Sequence, residues 1–233
     1  MLIFNKIFKR LFDIIISAVV LILLSPLFFI IAIAVKIDSK GPVLFKQERR
    51  GKNGAIFKML KFRSMVVDAE KIGTGLFNYS NDPRVTKTGR VLRNTSLDEL
   101  PQIWNVLKGD MSIVGPRPSV TYELGDYDTL NSRYKKRFTV LPGITGYAQV
   151  KGRNEIPWDV KVNYDNEYID LFRKQGVWLD IKIILKTFIN VFKGKNIYEE
   201  KPDESMDDTE AAAAAERAVI ENAHKIENDD IVE

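Results

Sequence analysis

Ile14 to Val35 is a run of 22 residues without a charge, interrupted near its centre by Ser25-Pro26. As a helix, about 20 apolar residues match the hydrocarbon core of a bilayer. A secretory signal peptide would carry a shorter apolar stretch, about 7–15 residues, followed by a small-residue cleavage site. Here Lys36-Ile37-Asp38-Ser39-Lys40 follows instead. A soluble core helix is rarely apolar on every side in a small domain, so the segment reads as membrane-resident. Pro26 removes one backbone hydrogen bond and clashes with the preceding turn, which demands a kink or a break. Both flanks are basic: Lys6, Lys9 and Arg10 precede the run, and Lys36, Lys40, Lys46, Arg49, Arg50 and Lys52 follow it. A simple span wants its basic residues on one side. Asp13 at the head of the run is costly in lipid unless paired, with Arg10 or with a group on the later domain. A bent helix that enters and leaves by one face meets all three conditions and brings both flanks to the headgroups of one leaflet. A single kinked span stays open as the alternative; the residues lean toward the re-entrant form.

The charge distribution divides the rest. Residues 199–233 hold 13 acids and 3 bases, which leaves 18 acids and 32 bases in residues 1–198. The overall charge of +4 is therefore a basic body offset by an acidic, Ala-containing tail. Three divisions are expected: a membrane-embedded segment at 1–40, a main domain at 41–198 and the tail at 199–233. Cysteine is absent, and the one histidine, His224, lies in the tail. Triads that need imidazole or thiolate, and zinc sites built on them, are excluded. What remains is carboxylate, Lys, Arg, Tyr and hydroxyl chemistry, with any metal held by oxygen and so closer to Mg²⁺ or Mn²⁺ than to Zn²⁺.

Two β-leaning runs, VLFKQER and IFKMLKFRSM, flank a Gly/Asn turn and predict a hairpin. A short helix is expected over Val66–Lys71, and loop over 73–83. Ser96-x-x-Glu99 has capping-box spacing, which predicts a helix from Ser96 through Leu100, Ile103, Trp104 and Leu107 to a stop at Gly109, distorted at Pro101. Residues 121–138 read as a charged helical stretch, residues 141–154 as loop with short strand, and Ile156–Lys174 as helix. Val177–Phe192 carries Trp178, Ile181, Leu185, Phe188 and Phe192 on one stripe; such a helix either lies in a membrane interface or packs on the core. The fold class expected is α+β and mostly helical.

Asp98-Glu99 is the strongest local chemical feature. Two acids at a helix start can simply complement the helix dipole. Their surroundings suggest more. Arg84, Lys87, Arg90 and Arg93 precede the pair, and Arg117 follows within Pro116-Arg117-Pro118. Acids amid bases suit a phosphorylated substrate with a divalent metal. With no His or Cys available near them, a carboxylate is also the natural nucleophile for covalent phosphoryl chemistry. Nucleic acid is set aside, because the basic groups adjoin a membrane segment.

At these residues the chain resembles the bacterial sugar transferases, the small monotopic phosphoglycosyl transferases. The matching segments run in order: KRLFDIIIS at 9–17, Ser25-Pro26, GPVLFKQERRG at 41–51, FKMLKFRSM at 57–65, the long segment from Asp82 to Pro118, and LPGITGYAQVKGRN at 141–154. The resemblance implies a monotopic protein of the bacterial inner membrane with its catalytic domain facing the cytoplasm. It implies transfer of a phospho-sugar from a UDP-sugar to undecaprenyl phosphate with release of UMP, the first membrane step of exopolysaccharide, capsule, O-antigen or glycoprotein glycan assembly. Asp98 would be the nucleophile and Glu99 the Mg²⁺ ligand. Arg93 and Arg117 would bind phosphate, Pro116 and Pro118 would wall the uridine pocket, and Lys61, Arg63 and Arg153 would add phosphate or headgroup contacts. Ser25 and Pro26 would break the re-entrant helix. Larger relatives add membrane helices before this domain, so the chain is expected to be a minimal form. Membrane lipid, downstream glycosyltransferases and a second copy meeting through residues 120–140 are the further partners expected. The competing readings are a non-catalytic membrane scaffold that binds anionic lipid and a nucleotide-sugar hydrolase.

Overall fold

The computed structural model describes residues 2–69, 82–152 and 157–192. The helix α1 (Leu2–Leu23) meets α2 (Ser25–Asp38) at Leu24 with a bend of 62°. Ser25-Pro26 explains the joint. Pro26 has no N–H for Ile22 O, and Ser25 Oγ donates to that carbonyl instead, at 2.8 Å. No single described helix is long and apolar enough to cross a membrane; the bent pair together is, by length and composition.

Both helices expose apolar faces; α1 turns a polar face inward, whereas α2 buries Ile31 and Val35. Asp13 and Ser17 are almost fully buried, whereas Phe4, Ile22, Leu23, Phe29 and Ile37 are each about seven-tenths exposed or more. The polar side of α1 faces the rest of the chain through ion pairs and backbone contacts, so Asp13 finds its partner on the later domain, at Ile113 N–H.

The expected hairpin forms from β1 (Leu44–Arg50) and β2 (Ile56–Phe62), antiparallel with Leu44 opposite Phe62 and Arg50 opposite Ile56. Asn53 at φ 55° and Gly54 at φ 79° supply the left-handed residues of the turn. β4 (Ser119–Val120) joins the other edge of β1, and β3 (Ser112–Val114) pairs in parallel with β5 (Gly143–Thr145). Around these sheets lie α3 (Lys87–Asn94), α4 (Gln102–Lys108), α5 (Ser132–Lys136), α6 (Tyr147–Lys151), α7 (Trp158–Gln175) and α8 (Val177–Phe192). The fold is thus mostly helical α+β with short sheets. Ile31, Val35, Phe62 and Leu92 pack α2 onto the hairpin and α3. Val114, Tyr168, Ile169, Phe172, Leu179 and Ile183 join β3 to α7 and α8.

Several expectations change. The helix expected over 66–71 does not begin at Val66: residues 67–68 are a turn with Asp68 at φ 59°, Ala69 is in a 3₁₀ turn, and residues 70–71 lie outside the described residues. Most of the loop expected at 73–83 lies outside the described residues. The stretch 121–138 is broken rather than continuous: a turn, a 3₁₀ turn at Tyr127–Thr129, α5, and another 3₁₀ turn at Arg137–Thr139, with Gly125 at φ 71° between the first two. The capping box is absent. Ser96 is left-handed at φ 57° with no side-chain cap, and Glu99 turns its carboxylate away from it. Leu97–Glu99 forms a separate 3₁₀ turn, and Pro101 marks the start of α4. Gly109 does end α4, at φ 104°. α8 packs through Leu179 and Ile183 and leaves Trp178, Leu185 and Phe188 more than half exposed, so the anticipated stripe is the outward face. The tail at 199–233 lies outside the described residues.

Candidate active site

Three segments converge on Glu99: β2 carries Lys61, the 3₁₀ turn carries Asp98 and Glu99, and the loop after β3 carries Arg117. Lys61 Nζ donates to Glu99 Oε1 at 2.9 Å, and Arg117 Nη2 donates to the same oxygen at 3.2 Å. Glu99 Oε2 accepts no hydrogen bond among the described residues. Burial alone would raise the Glu99 pKa, but Lys61 and Arg117 more than offset it and hold the carboxyl far below its usual range. The same ion pair raises the Arg117 pKa.

Asp98, one residue away, is 7% exposed, and its carboxylate accepts no hydrogen bond among the described residues. Burial pushes its pKa up to about 6, and the Glu99 charge adds to that; Lys61, Arg93 and Arg117 oppose both. Two adjacent carboxylates are thereby driven in opposite directions, an arrangement that assigns them different chemical roles. One is a fixed anion locked to two cations. The other is a buried carboxylate whose charged form is disfavoured by its surroundings.

Arg93 lies at the end of α3. Thr86 Oγ1 caps this helix by accepting from Gly89 N–H at 3.0 Å, and Asp38 Oδ2, at the end of α2, accepts from Thr88 N–H at 2.8 Å. A Cβ on Gly89 would stand 1.9 Å from Ser64 O, so only glycine lets α3 lie this close to the chain after β2. Arg93 then donates from Nε to Ser64 Oγ at 3.0 Å and from Nη2 to Met65 Sδ at 3.4 Å.

The Pro116-Arg117-Pro118 turn is held at every carbonyl. Gly143 N–H donates to Pro116 O at 2.9 Å, Arg137 Nη2 to Arg117 O at 2.7 Å, and Arg49 Nη1 to Pro118 O at 3.1 Å. Arg137 is itself fixed by Asp165 at 3.0 Å and by the Trp158 ring, 4.9 Å from its guanidinium carbon. A cavity behind the turn is lined by Arg50, Pro116, Pro118 and Arg137. Arg49, Arg137, Asp165 and Gly143 were missed from sequence. The segment LPGITG points to Gly143, but nothing local links Arg137 to Arg117.

The structure therefore brings together Lys61, Arg93, Asp98, Glu99 and Arg117, with Pro116 and Pro118 flanking the last. It does not bring Arg63 to this group. That guanidinium is buried against the end of α2, donating to Lys40 O, Ser39 O and Ser39 Oγ at 2.7–3.0 Å, so it caps the helix. Arg84 is turned inward onto Asp82 at 2.7 Å. Lys87 and Arg90 are exposed on α3. Ser25 and Pro26 lie at the α1–α2 joint, and Arg153 lies outside the described residues.

No group of three or more His, Cys, Asp or Glu residues that could hold a metal occurs among the described residues. A hard cation such as Mg²⁺ needs only one or two carboxylates when substrate phosphates supply other oxygens. Glu99 Oε2 fits that requirement.

The family model described as bacterial sugar transferase matches residues 4–194. The chain belongs to the bacterial sugar transferase family. UDP-glucose:undecaprenyl-phosphate glucose-1-phosphate transferase of Klebsiella pneumoniae is 49% identical over 195 residues, covering 82% of this chain and 40% of that protein. Galactosyl transferase CpsE of Streptococcus agalactiae is 49% identical over 165 residues, covering 66% of this chain and 35% of that protein. Undecaprenyl-phosphate galactose phosphotransferase of Salmonella typhimurium is 39% identical over 208 residues, covering 83% and 42%. The chain thus spans about 40% of the length of the curated relatives it matches. The region matched by the family model contains every residue of the Glu99 cluster.

Proposed function

We propose that this chain transfers a sugar phosphate from a UDP-sugar to undecaprenyl phosphate and releases UMP. The observation that carries the reading is the split carboxylate pair, with Asp98 buried and unbonded beside Glu99 locked to Lys61 and Arg117. The names of the relatives support the substrate classes, with glucose in one and galactose in another.

In the proposed mechanism an Asp98 carboxylate oxygen attacks the sugar-linked phosphorus of the donor. The bond from that phosphorus to the oxygen bridging the two phosphates breaks, and UMP leaves with the electron pair. The product on the protein is a phosphoglycosyl-aspartate. A phosphate oxygen of undecaprenyl phosphate then attacks the same phosphorus, the bond to Asp98 breaks, and the carboxylate is regenerated with a sugar diphosphate on the lipid. Arg93, Lys61 and Arg117 orient the phosphates and offset their charge, and the gripped Pro116-Arg117-Pro118 turn keeps Arg117 from moving as charge develops. Mg²⁺ held by Glu99 would supply further charge neutralisation on the diphosphate.

A site that joins a soluble donor to a lipid acceptor belongs at headgroup depth. The exposed apolar faces of α1, α2 and α8 support placing the chain on a membrane, with the bent pair entering and leaving by the cytoplasmic face. Cysteines placed at Asn5 and Asn53 should label from the same side; opposite labelling would sink the re-entrant arrangement.

The test is UMP release by detergent-solubilised protein given UDP-sugars and Mg²⁺. Sustained release should require undecaprenyl phosphate, and radiolabel from the sugar phosphate should be trapped on protein when the lipid is withheld. Sustained release without lipid would instead mark a hydrolase. A panel of UDP-glucose, UDP-galactose and N-acetylated donors identifies the sugar.

A further inference from the structure

α1 grips the two ends of the segment that links both halves of the site. Arg10 donates to Val106 O at 2.6 Å and Leu107 O at 3.0 Å, carbonyls of the last turn of α4; Val106 O also accepts from the Gly109 N–H. One helical turn later, Asp13 Oδ1 accepts from Ile113 N–H in β3 at 3.1 Å. Between these anchors Gly109 closes α4, and a Cβ there would stand 3.2 Å from Arg10 Nη2. α4 begins three residues after Glu99, and β3 ends three residues before Arg117. β3 is gripped on its other side as well. The Tyr168 hydroxyl lies 3.2 Å from Val114 O and 2.9 Å from Asp180 Oδ1, and Asp180 Oδ2 accepts from Lys9 at 2.6 Å.

We infer that Arg10 and Asp13 are positioning residues for the Glu99–Arg117 pair: α1 sets the spacing between the turn that carries Asp98-Glu99 and the turn that carries Arg117. Three observations support a role beyond anchoring. Asp13 is 1% exposed, in a helix whose other face is apolar and exposed, so a carboxylate is kept where a hydrophobic residue would dock the helix equally well. Its bond goes to a backbone N–H, which fixes the height of β3 rather than pairing a side chain. Arg10 and Asp13 are three residues apart on one face, so a single rigid turn spans both arms. The orientation of α1 is therefore transmitted to the distance between Glu99 and Arg117.

The kinetic arm of the test rests on the transferase reading; the exchange arm does not. In the full-length protein, Asp13→Val should lower kcat/KM for the UDP-sugar by about tenfold, the scale of one lost hydrogen bond to a charged group. The KM for undecaprenyl phosphate should stay within about twofold. Amides of residues 110–118 should exchange faster, with those of the hairpin and α7 unchanged. Asp13→Asn keeps an oxygen acceptor for Ile113 N–H and should restore donor kinetics to within about threefold. Arg10→Lys, which can grip one carbonyl but not two, is the second variant if Asp13→Val does not fold; it should speed exchange at 105–111 and lower donor kcat/KM by a smaller factor. Unchanged per-molecule donor kinetics, or exchange faster everywhere alike, would overturn the inference and leave α1 as an anchor. If the wild-type protein turns over no UDP-sugar, the transferase reading fails, and the exchange pattern alone decides the positioning role.

Discussion

Asp98 and Asp165 are both buried, at 7% and 2% exposure, and burial raises the pKa of each. Their partners differ. Asp165 accepts from Arg137 Nε at 3.0 Å, with the arginine held between the Trp158 and Phe138 rings. Asp98 has three cations nearby, but Lys61 and Arg117 both bond to Glu99 instead. Asp165 is thus bonded in a buried ion pair that holds structure, whereas the turn at 97–99 withholds its partners from one carboxylate. Burial alone does not distinguish a structural acid from a reactive one; the destination of the neighbouring hydrogen bonds does.

That contrast can be broken most sharply at Asp98 itself. Asp98→Asn should lower lipid-dependent UMP release by at least about a thousandfold with membrane binding intact, because the nucleophile is lost. Retained activity would end the covalent reading. Glu99→Gln should cost about a hundredfold in kcat, since one charge is lost at the transition state and two cations are left unpaired.

A pH series gives the next effect. The reactive form of Asp98 is the anion and its pKa is about 6, so kcat/KM should fall about tenfold between pH 7 and pH 5 with the slope of one proton. The stability consequence has the opposite sense. Asp98's folded pKa lies above its unfolded value. Between about pH 4 and 6 the native state therefore holds a proton that the unfolded state has lost, and stability declines as pH rises through that window. Thermal melts of Asp98→Asn should lack that decline and sit above wild type at pH 7.

The smallest effect sharpens the comparison from the α7 side. Tyr134 donates to Asp159 Oδ1 at 2.8 Å, in the first turn of the helix that also carries Asp165. Tyr134→Phe should lower stability by about 1 kcal/mol in denaturant melts and leave UMP release unchanged. A loss of turnover there would mean that the α7 face does more than support the turn.

Much of this was legible in the chain itself. Alternation of Lys58 and Lys61 with Phe57, Met59 and Phe62 marks β2, and Asn53-Gly54 marks its turn, because strand period and left-handed turn residues are local properties. Ser25-Pro26 located the break between α1 and α2 for the same kind of reason. The capping-box spacing at Ser96 misled, because Glu99 is drawn to Lys61 and Arg117 more strongly than to a neutral backbone N–H. The charged stretch at 121–138 reads as one helix only until Gly125 and the packing of Tyr134 and Phe138 divide it.

Arginine shows the limit most clearly. Arg84, Arg93 and Arg117 read as phosphate ligands from their place around Asp98-Glu99, and the family resemblance adds Arg63, yet Arg63 caps α2, Arg84 pairs with Asp82, and only Arg93 and Arg117 lie near Asp98. By itself the sequence determined which chemistry was possible: a carboxylate pair in a basic setting, with no thiol and no nearby imidazole, next to a broken apolar helix. Only the tertiary structure decided which carboxylate was bonded and which was left free. That outcome depends on cations 18 and 38 residues away from Glu99, at Arg117 and Lys61, whose side chains reach one oxygen and not its neighbour. Local sequence encodes dihedral preference and periodicity; the distribution of charge over a buried site is a sum over groups that the fold alone brings within a few ångströms.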